Sequence, residues 1–477
     1  MGSKAIKLPY AAGENLVTWN VPGCDTSGCE IPGSLKLEVG KYPFGDLYGA
    51  LPVEWHGRSA AFPQRTTFEM LTGRLASGSN VVLSNGRLEY WTPNRGFVTG
   101  LLAVLSQNEF VGDKPRKYDS IEFQIEGLES IVGITPIDKV SFPAEKDAEP
   151  IYAARINEEG NLHWSQDGVE MRFFYGVSIH DFDPYKFGMD FSPVLRITLA
   201  EPITAREWWF EWVLPMRKLV SLLTKASRSV RYVILSEKAQ ENDFRYYPDQ
   251  LFGWDIAQEP VNSAIDDTRS VSSIVNVSKD HVDLLRMLLD WKKGMKEHQP
   301  LLEIYGGMIL VEGQHPRSSF LMLMQAIEGS YGFEHRNEYD ARQEEYSKEL
   351  RHVMDAVGSS SVLAREDRKF IKENLNKHPR QGLRDALVDL LDSLPQDCGI
   401  STELNDLELI RRARSENEKM PLEQSLTMIR NKLSHGDQSF STEELEECVK
   451  IFSRIVRSEV LRLLEVPEEG REKALER

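Results

Sequence analysis

"REWWFEWVLPMRKLVSLLTKA", residues 206–226, marks the place where the chain changes its periodicity. Apolar residues recur there every three or four positions, as on one face of a helix, and Pro215 predicts a kink or a fresh helical start because proline has no amide proton. Before this point the pattern is different. "SLKLEVG" (34–40), "RTTFEMLTG" (65–73), "NVVLSNGRLEYW" (80–91), "FVTGLLAVL" (97–105), "SIEFQIEGL" (120–128), "MRFFYGVSI" (171–179) and "VLRITLA" (194–200) have period two or form short apolar runs between turn residues, and read as strands. Ser84, Asn85 and Gly86 predict a hairpin turn between "VVL" and "RLEYW", since Asn and Gly tolerate the positive φ of tight turns. Strands this closely spaced imply an antiparallel β-rich sandwich or barrel-like domain over residues 1–205.

After the quoted helix comes a strand-like "VRYVILS" (230–236) and a polar, aromatic-rich connection, so residues 206–275 read as a mixed α/β connecting segment. From "HVDLLRMLLDWKKGM" (281–295) onward almost every stretch repeats its apolar residues at helical spacing, including "SSFLMLMQAIEGSYGF" (318–333), "LRDALVDLLDSL" (383–394) and "EELEECVKIFSRIVRSEVLRLLEV" (443–466). "GSSS" at 358–361 and "LPQDCG" at 394–399 separate them as turns. An all-α bundle is therefore expected over 276–477, and the fold class is α+β multidomain.

Composition agrees. A chain of 477 residues with 41% apolar content exceeds what one core organises and can fill two or three. No stretch has the ~18 uninterrupted apolar residues of a spanning helix, and "MGSKAIKLPYAAGENL" has no signal-peptide pattern, so no membrane association and a cytosolic location are expected. The formal net charge of −17 argues against a protein that coats nucleic acid non-specifically, because phosphate binding depends on Lys and Arg. It leaves room for a small basic site. Four cysteines are too few and too scattered for a disulfide framework. Cys24 and Cys29 have four residues between them and form at most half of a zinc shell, since a structural site needs about four ligands and no second pair is near.

The stretch that carries chemistry is "SLTMIRNKLSHGDQSF", residues 425–440. Leu422, Leu426, Ile429 and Leu433 make one apolar stripe, Pro421 suits the first turn, and Gly436 suits the position after the last. Arg430 flanks the stripe and His435 occupies the last turn. Two readings of this pair are open. A cation near a helix C-terminus stabilises the dipole end, which explains His435 without catalysis. Alternatively, imidazole titrates near working pH and can move protons, while guanidinium offers planar donors to phosphate oxygens, a combination suited to cutting RNA. Five residues correspond to about 500° of helical rotation, so the two side chains of one helix diverge by about 140°. Two copies packed about a two-fold axis bring both ends to one cleft. His435 alone among ten histidines has an arginine five to seven positions before it.

"MIRNKLSHG" (428–436) resembles the R-x(4–6)-H signature of HEPN domains, the higher eukaryote and prokaryote nucleotide-binding superfamily, including the Asn directly after the Arg. "HPRSSFLMLMQAIEGSYGFEHR" (315–336) and "WVLPMRKLVSLLTKASRSVRYVIL" (212–235) are similar to central segments of ApeA-like antiphage HEPN proteins. "NLVTWNVPG", "IPGSLKLEVG" and "YDSIEFQIEGLESIVG" resemble the β-rich ApeA N-terminal domain. The resemblance implies a metal-independent endoribonuclease toxin of antiphage defence by abortive infection, with RNA as substrate, structured RNA such as tRNA included. It implies 2′,3′-cyclic phosphate and 5′-hydroxyl products, a homodimer or higher even homo-oligomer, a phage-derived trigger protein read by the β-rich domain, and no cofactor. Arg430 and His435 carry over as catalytic residues and Asn431 as the residue that orients phosphate or braces the arginine. Glu328 on an earlier helix and Lys432 carry over as supporting or RNA-binding residues. The alternative is a non-catalytic HEPN module that binds a nucleotide or a protein.

Elsewhere bland readings prevail. His180, Asp181 and Asp183 in "IHDFDPY" are too few for a cation shell and read as a polar loop between strands. The tryptophans of "EWWFEW" (207–212) read as core or interface rather than as base-stacking groups. Walker loop, G-x-S-x-G elbow and H-E-x-x-H helix are absent from the sequence.

Overall fold

The structure, a computed structural model, describes residues 5–476 apart from 22–28, 50–63, 93, 111–113, 142–152, 158–159, 184–185, 238–246, 378–381, 396–397, 416 and 437–439. The chain divides into two compact units, Met1–Leu289 and Asp290–Arg477.

The first unit is built on antiparallel strands: β1 (Gly13–Val21), β2 (Cys29–Leu37), β3 (Phe44–Tyr48), β4 (Gln64–Leu75), β5 (Asn80–Thr92), β6 (Arg95–Thr99), β7 (Leu102–Ser106), β8 (Lys117–Ile125), β9 (Ile137–Ser141), β10 (Ala153–Ile156), β11 (Leu162–Gln166), β12 (Val169–Asp183), β13 (Lys186–Thr204), β14 (Val230–Ser236) and β15 (Asp249–Gly253). β9 and β10 pair with each other; the rest form one sheet in the order β11-β12-β13-β8-β14-β15-β7-β5-β4-β1-β2-β3-β6. Because β6 also pairs with β5, the strands β5-β4-β1-β2-β3-β6 close into a ring, and β7-β15-β14-β8-β13-β12-β11 continue as an open sheet. Closure removes the edges that an isolated small sheet would expose. The ring encloses Trp19, Leu35, Leu47, Leu71, Leu83, Leu88 and Val98. The faces alternate with period two: in β1, which the sequence reading had not marked as a strand, Val17, Trp19 and Val21 are buried while Leu16 and Asn20 are exposed.

The predicted hairpin at Ser84–Gly86 is not formed. β5 runs through it, with Asn85 at φ 45°. Its first half pairs with β7 and its second half with β6, so these residues mark the strand's change of partner from open sheet to ring. The single strand expected over 97–105 is broken at the same junction, where the Leu101 amide donates to the Ser84 carbonyl at 2.9 Å. A Cβ on Gly86 would stand 2.1 Å from the Thr99 carbonyl oxygen and 2.3 Å from the Phe68 ring, which explains the glycine.

Among the described residues short helices accompany the sheet: α1 (Leu128–Val132), α2 (Ala205–Trp208), α3 (Leu214–Leu223) and α4 (Ile265–Ser270). The change of period near residue 205 falls at the end of β13, where Thr204 caps α2 in a reciprocal box with Glu207. Between α2 and α3 the chain makes a π-helical turn, Trp209–Val213, whose wider spacing precedes Pro215 and accommodates a residue with no amide proton. Trp208 is fully buried and donates through Nε1 to the Tyr118 carbonyl at 3.0 Å, and Trp209 and Trp212 are buried as well, so the tryptophans are core, while Phe210 between them is exposed. Residues 206–275, read as a connecting segment, supply β14 and β15 to the sheet between β8 and β7. His180 lies in β12 rather than in a loop, with Nε2 3.2 Å from Asp190 on the paired strand β13.

The unit boundary falls inside α5 (Leu284–Lys296). The second unit is all-helical: α6 (Pro300–Met308), α7 (Pro316–Glu334), α8 (Arg336–Ser359), α9 (Arg365–Asn374), α10 (Leu383–Asp392), α11 (Ile400–Asp406), α12 (Glu408–Ala413), α13 (Leu422–His435), α14 (Thr442–Leu463) and α15 (Glu468–Leu475). α7 is the hub, packing on α6, α10, α13 and α14. Its Phe320 meets Phe452 of α14 edge to face at 6.4 Å between ring centres, in a fully buried pair. The α+β multidomain expectation, a β-rich N-terminal region followed by a helical bundle, holds.

Candidate functional site at the end of α13

The apolar stripe of α13 is buried as its spacing requires: Leu422, Leu426, Ile429 and Leu433 all face the bundle. Pro421 stands just before the helix, as its cap residue. At the other end Gly436 takes φ 77°, a left-handed conformation that glycine adopts without a Cβ penalty, and its amide returns to the Lys432 carbonyl. The helix therefore stops directly after His435.

Arg430 is two-thirds covered. Its Nη2 donates to Glu328 Oε2 of α7 at 3.0 Å, and its Nη1 donates to Asn431 Oδ1 at 3.1 Å. Glu328 is equally covered. An ion pair this open contributes about 0.2–1 kcal/mol, little enough for a phosphate to displace the carboxylate. His435 and Asn431 are exposed, and Lys432 is half-buried. Among the described residues His435 and Lys432 make no side-chain hydrogen bond or ion pair.

Of the residues singled out in the sequence, the structure thus brings Glu328, Arg430 and Asn431 into one hydrogen-bonded group. It does not bring His435 to them. Along one helix the two residues are separated by about 7.5 Å of rise and about 140° of rotation. The imidazole and the guanidinium therefore leave α13 in different directions.

Arg317, in the first turn of α7, escaped the sequence reading. Its Nη2 donates to the carbonyl of Leu433, two residues before His435. A bond from side chain to backbone leaves no motif. The one available signal was spacing: Arg317 and Glu328 are eleven residues apart, which is about three turns, so they share a face of α7.

The next face of α7 borders a cavity of about 320 Å³ lined by Ile327, Tyr331, Glu334, His335, Glu459 and Arg462, among others. Arg462 Nη2 donates to both oxygens of Glu334, at 2.8 and 2.9 Å, and also pairs with Glu459. Burial pushes the Glu459 carboxyl above its ordinary range, against the opposing pull of Arg462. This network ties α7 to α14 and includes neither Arg430 nor His435.

Among the described residues no group of three or more His, Cys, Asp or Glu is placed to hold a metal ion. The side chains of Cys24 and Cys29 lie outside the described residues. No helix among the described residues is long and apolar enough to cross a membrane.

A sheet that is part closed ring and part open, followed by a helical bundle with an arginine–histidine helix end, defines a two-part α+β protein. The family model for ApeA N-terminal domain 1 matches residues 14–253, half of the chain, and spans β1 to β15. The chain belongs to this ApeA family, an antiphage-defence family. Comparison with curated proteins and with solved structures gave no match.

Proposed function

We propose that the protein is a metal-independent HEPN endoribonuclease of antiphage defence that works as a homodimer or higher even assembly. The observation that carries this reading is the end of α13, where an exposed His435 follows an Arg430 whose only carboxylate partner among the described residues is the weakly held Glu328.

In this reaction a neutral His435 imidazole takes the proton of a ribose 2′-hydroxyl. The 2′ oxygen attacks phosphorus, the bond to the 5′ oxygen breaks, and the departing oxygen takes a proton from the imidazolium of the second protomer. The products are a 2′,3′-cyclic phosphate and a 5′-hydroxyl. Arg430 exchanges Glu328 for a phosphate oxygen as charge grows there, Asn431 keeps its fork oriented, and Lys432 adds attraction for the RNA backbone. Structured RNAs such as tRNA suit such a site because their loops expose readable bases, and DNA lacks the attacking hydroxyl. The β-rich unit is the part that reads a phage-derived trigger protein.

The test is digestion of total RNA in EDTA by wild type, Arg430→Ala and His435→Ala, with the ends of the fragments sequenced. Cleavage by wild type to cyclic-phosphate ends, lost in both variants, supports the ribonuclease. A second reading, a non-catalytic HEPN module that binds a nucleotide or a protein, is favoured by the Arg430–Glu328 pair, which uses the arginine to hold two helices together. Cutting that needs a metal, or none from any variant, selects this second reading.

A further inference from the structure

We propose that Arg317 is a positioning residue of the α13 site: its guanidinium caps the Leu433 carbonyl near the C-terminal end of α13 and fixes the turn that carries His435. The inference rests on the ribonuclease reading of that site.

The last four carbonyls of a helix have no donor within it. In α13 the Gly436 amide satisfies Lys432, and the next carbonyl, Leu433, accepts from Arg317. A cation placed there also lies at the negative end of the helix dipole. Arg317 makes no ion pair with a carboxylate among the described residues, although the chain carries 74 acidic ones, so surface pairing does not account for its position. Its own backbone is held in turn: His315, the cap residue of α7, accepts the Arg317 amide through Nδ1 at 3.2 Å.

The placement on α7 adds to this. Arg317, Leu321, Met324 and Glu328 follow one another at intervals of four, three and four, which is a single stripe of a helix. That stripe meets α13 at two points, with Glu328 on the Arg430 side chain and Arg317 on the backbone below His435. One contact sets the phosphate-binding group and the other the proton-transfer group. The two groups diverge around their own helix, so each needs its own brace. An imidazole on a fraying last turn spends less time within hydrogen-bond reach of a 2′-hydroxyl, and a displacement of about 1 Å can cost up to about a hundredfold in rate.

The test compares full-length wild type, Arg317→Ala and Arg317→Lys, all three checked for equal melting temperature. Lysine keeps a charged donor for the carbonyl. Amide exchange is measured at Gly436, together with kcat and KM on an RNA that wild type cleaves. In Arg317→Ala the Gly436 amide is expected to exchange about tenfold faster. The same variant should lose about tenfold or more in kcat, with KM within about twofold. Arg317→Lys should recover both. Unchanged exchange in Arg317→Ala overturns the cap, and a raised KM with kcat intact makes Arg317 a substrate contact instead. If Arg317→Ala does not fold, Arg317→Lys decides: near-wild-type exchange and kcat support the cap, and loss of both refutes it. Should wild type cut no RNA, the ribonuclease reading fails by itself, while the exchange measurement still decides whether Arg317 holds the helix end.

Discussion

Trp19 and His435 occupy opposite kinds of surroundings. Trp19 is fully enclosed in the strand ring, with Leu35, Leu47 and Leu83 also sealed from solvent. His435 stands exposed on the last turn of α13, and its neighbours Asn431 and Ser434 are exposed as well. Burial of a large aromatic side chain contributes stability in proportion to the area removed from water. A solvated imidazole contributes almost nothing beyond its effect on the helix dipole. The barrel interior is therefore shaped by folding, whereas the end of α13 carries polar groups that folding does not require. Substitutions in the two places should separate cleanly into effects on stability and effects on activity.

The largest effect is expected at the exposed end. On the proposed ribonuclease reading, His435→Ala and Arg430→Ala should each lower RNA cleavage by about 10²–10⁴-fold. Both should leave unfolding free energy within about 1 kcal/mol of wild type, as measured by denaturant titration. A His435→Ala protein that unfolds as readily as a core variant would break the comparison. Next comes the core: Trp19→Ala removes a buried aromatic and should destabilise the first unit by about 3–5 kcal/mol. Seven of the nine tryptophans of the sequence are described residues of that unit, so tryptophan fluorescence reports its unfolding. An unchanged midpoint would show that the ring is not the core that its burial indicates.

Gly86→Ala should have a smaller effect, about 1–3 kcal/mol, because the new Cβ would meet the Thr99 carbonyl, a backbone atom that cannot swing aside. The reason this junction was misread is instructive. Ser-Asn-Gly signals a local departure from extended backbone, and that departure occurs, with Asn85 at positive φ. Whether it becomes a hairpin or a bend inside one strand depends on which strands lie alongside, and β6 and β7 come later in the chain. The entry of β14 and β15 between β8 and β7 is non-local in the same way. What depends on neighbours in sequence was legible: the strand patterns of β4 and β8, the end of β13 next to the start of α2, and the stripe and glycine stop of α13. Glu328 entered through resemblance, and Arg317 had no local mark at all.

Two carboxylates sharpen the contrast further. Asp249 is sealed in the sheet of the first unit, where it accepts the Tyr118 hydroxyl at 2.7 Å, with Arg116 Nη1 at 3.5 Å. Burial outweighs these partners and raises its pKa above the ordinary 3.8. A raised folded pKa means that the native state holds the proton more tightly than the unfolded chain. The stability it contributes is fully present below pH 3.8 and is lost as pH rises through the folded value. One such group gives a slope of at most about 1.4 kcal/mol per pH unit. Asp249→Asn should flatten the pH dependence of fluorescence-monitored unfolding above pH 4, leaving a remainder from Glu129, which burial also raises. A slope that is unchanged in the variant would place the titration elsewhere.

Glu328 is the opposite case, with a third of its side chain open to water and its partner equally open. Glu328→Gln keeps an acceptor for Arg430 but removes the charge, and should change stability by less than about 1 kcal/mol. Its effect on cleavage is expected to be a loss of about threefold, because the neutral amide orients the guanidinium less firmly between turnovers. Glu328→Ala, which leaves Arg430 with Asn431 alone, should lose somewhat more at the same melting temperature. A gain in cleavage on removing Glu328 would reverse its role. The carboxylate would then restrain Arg430 rather than support it, and the exposed end of α13 would contain its own inhibitor.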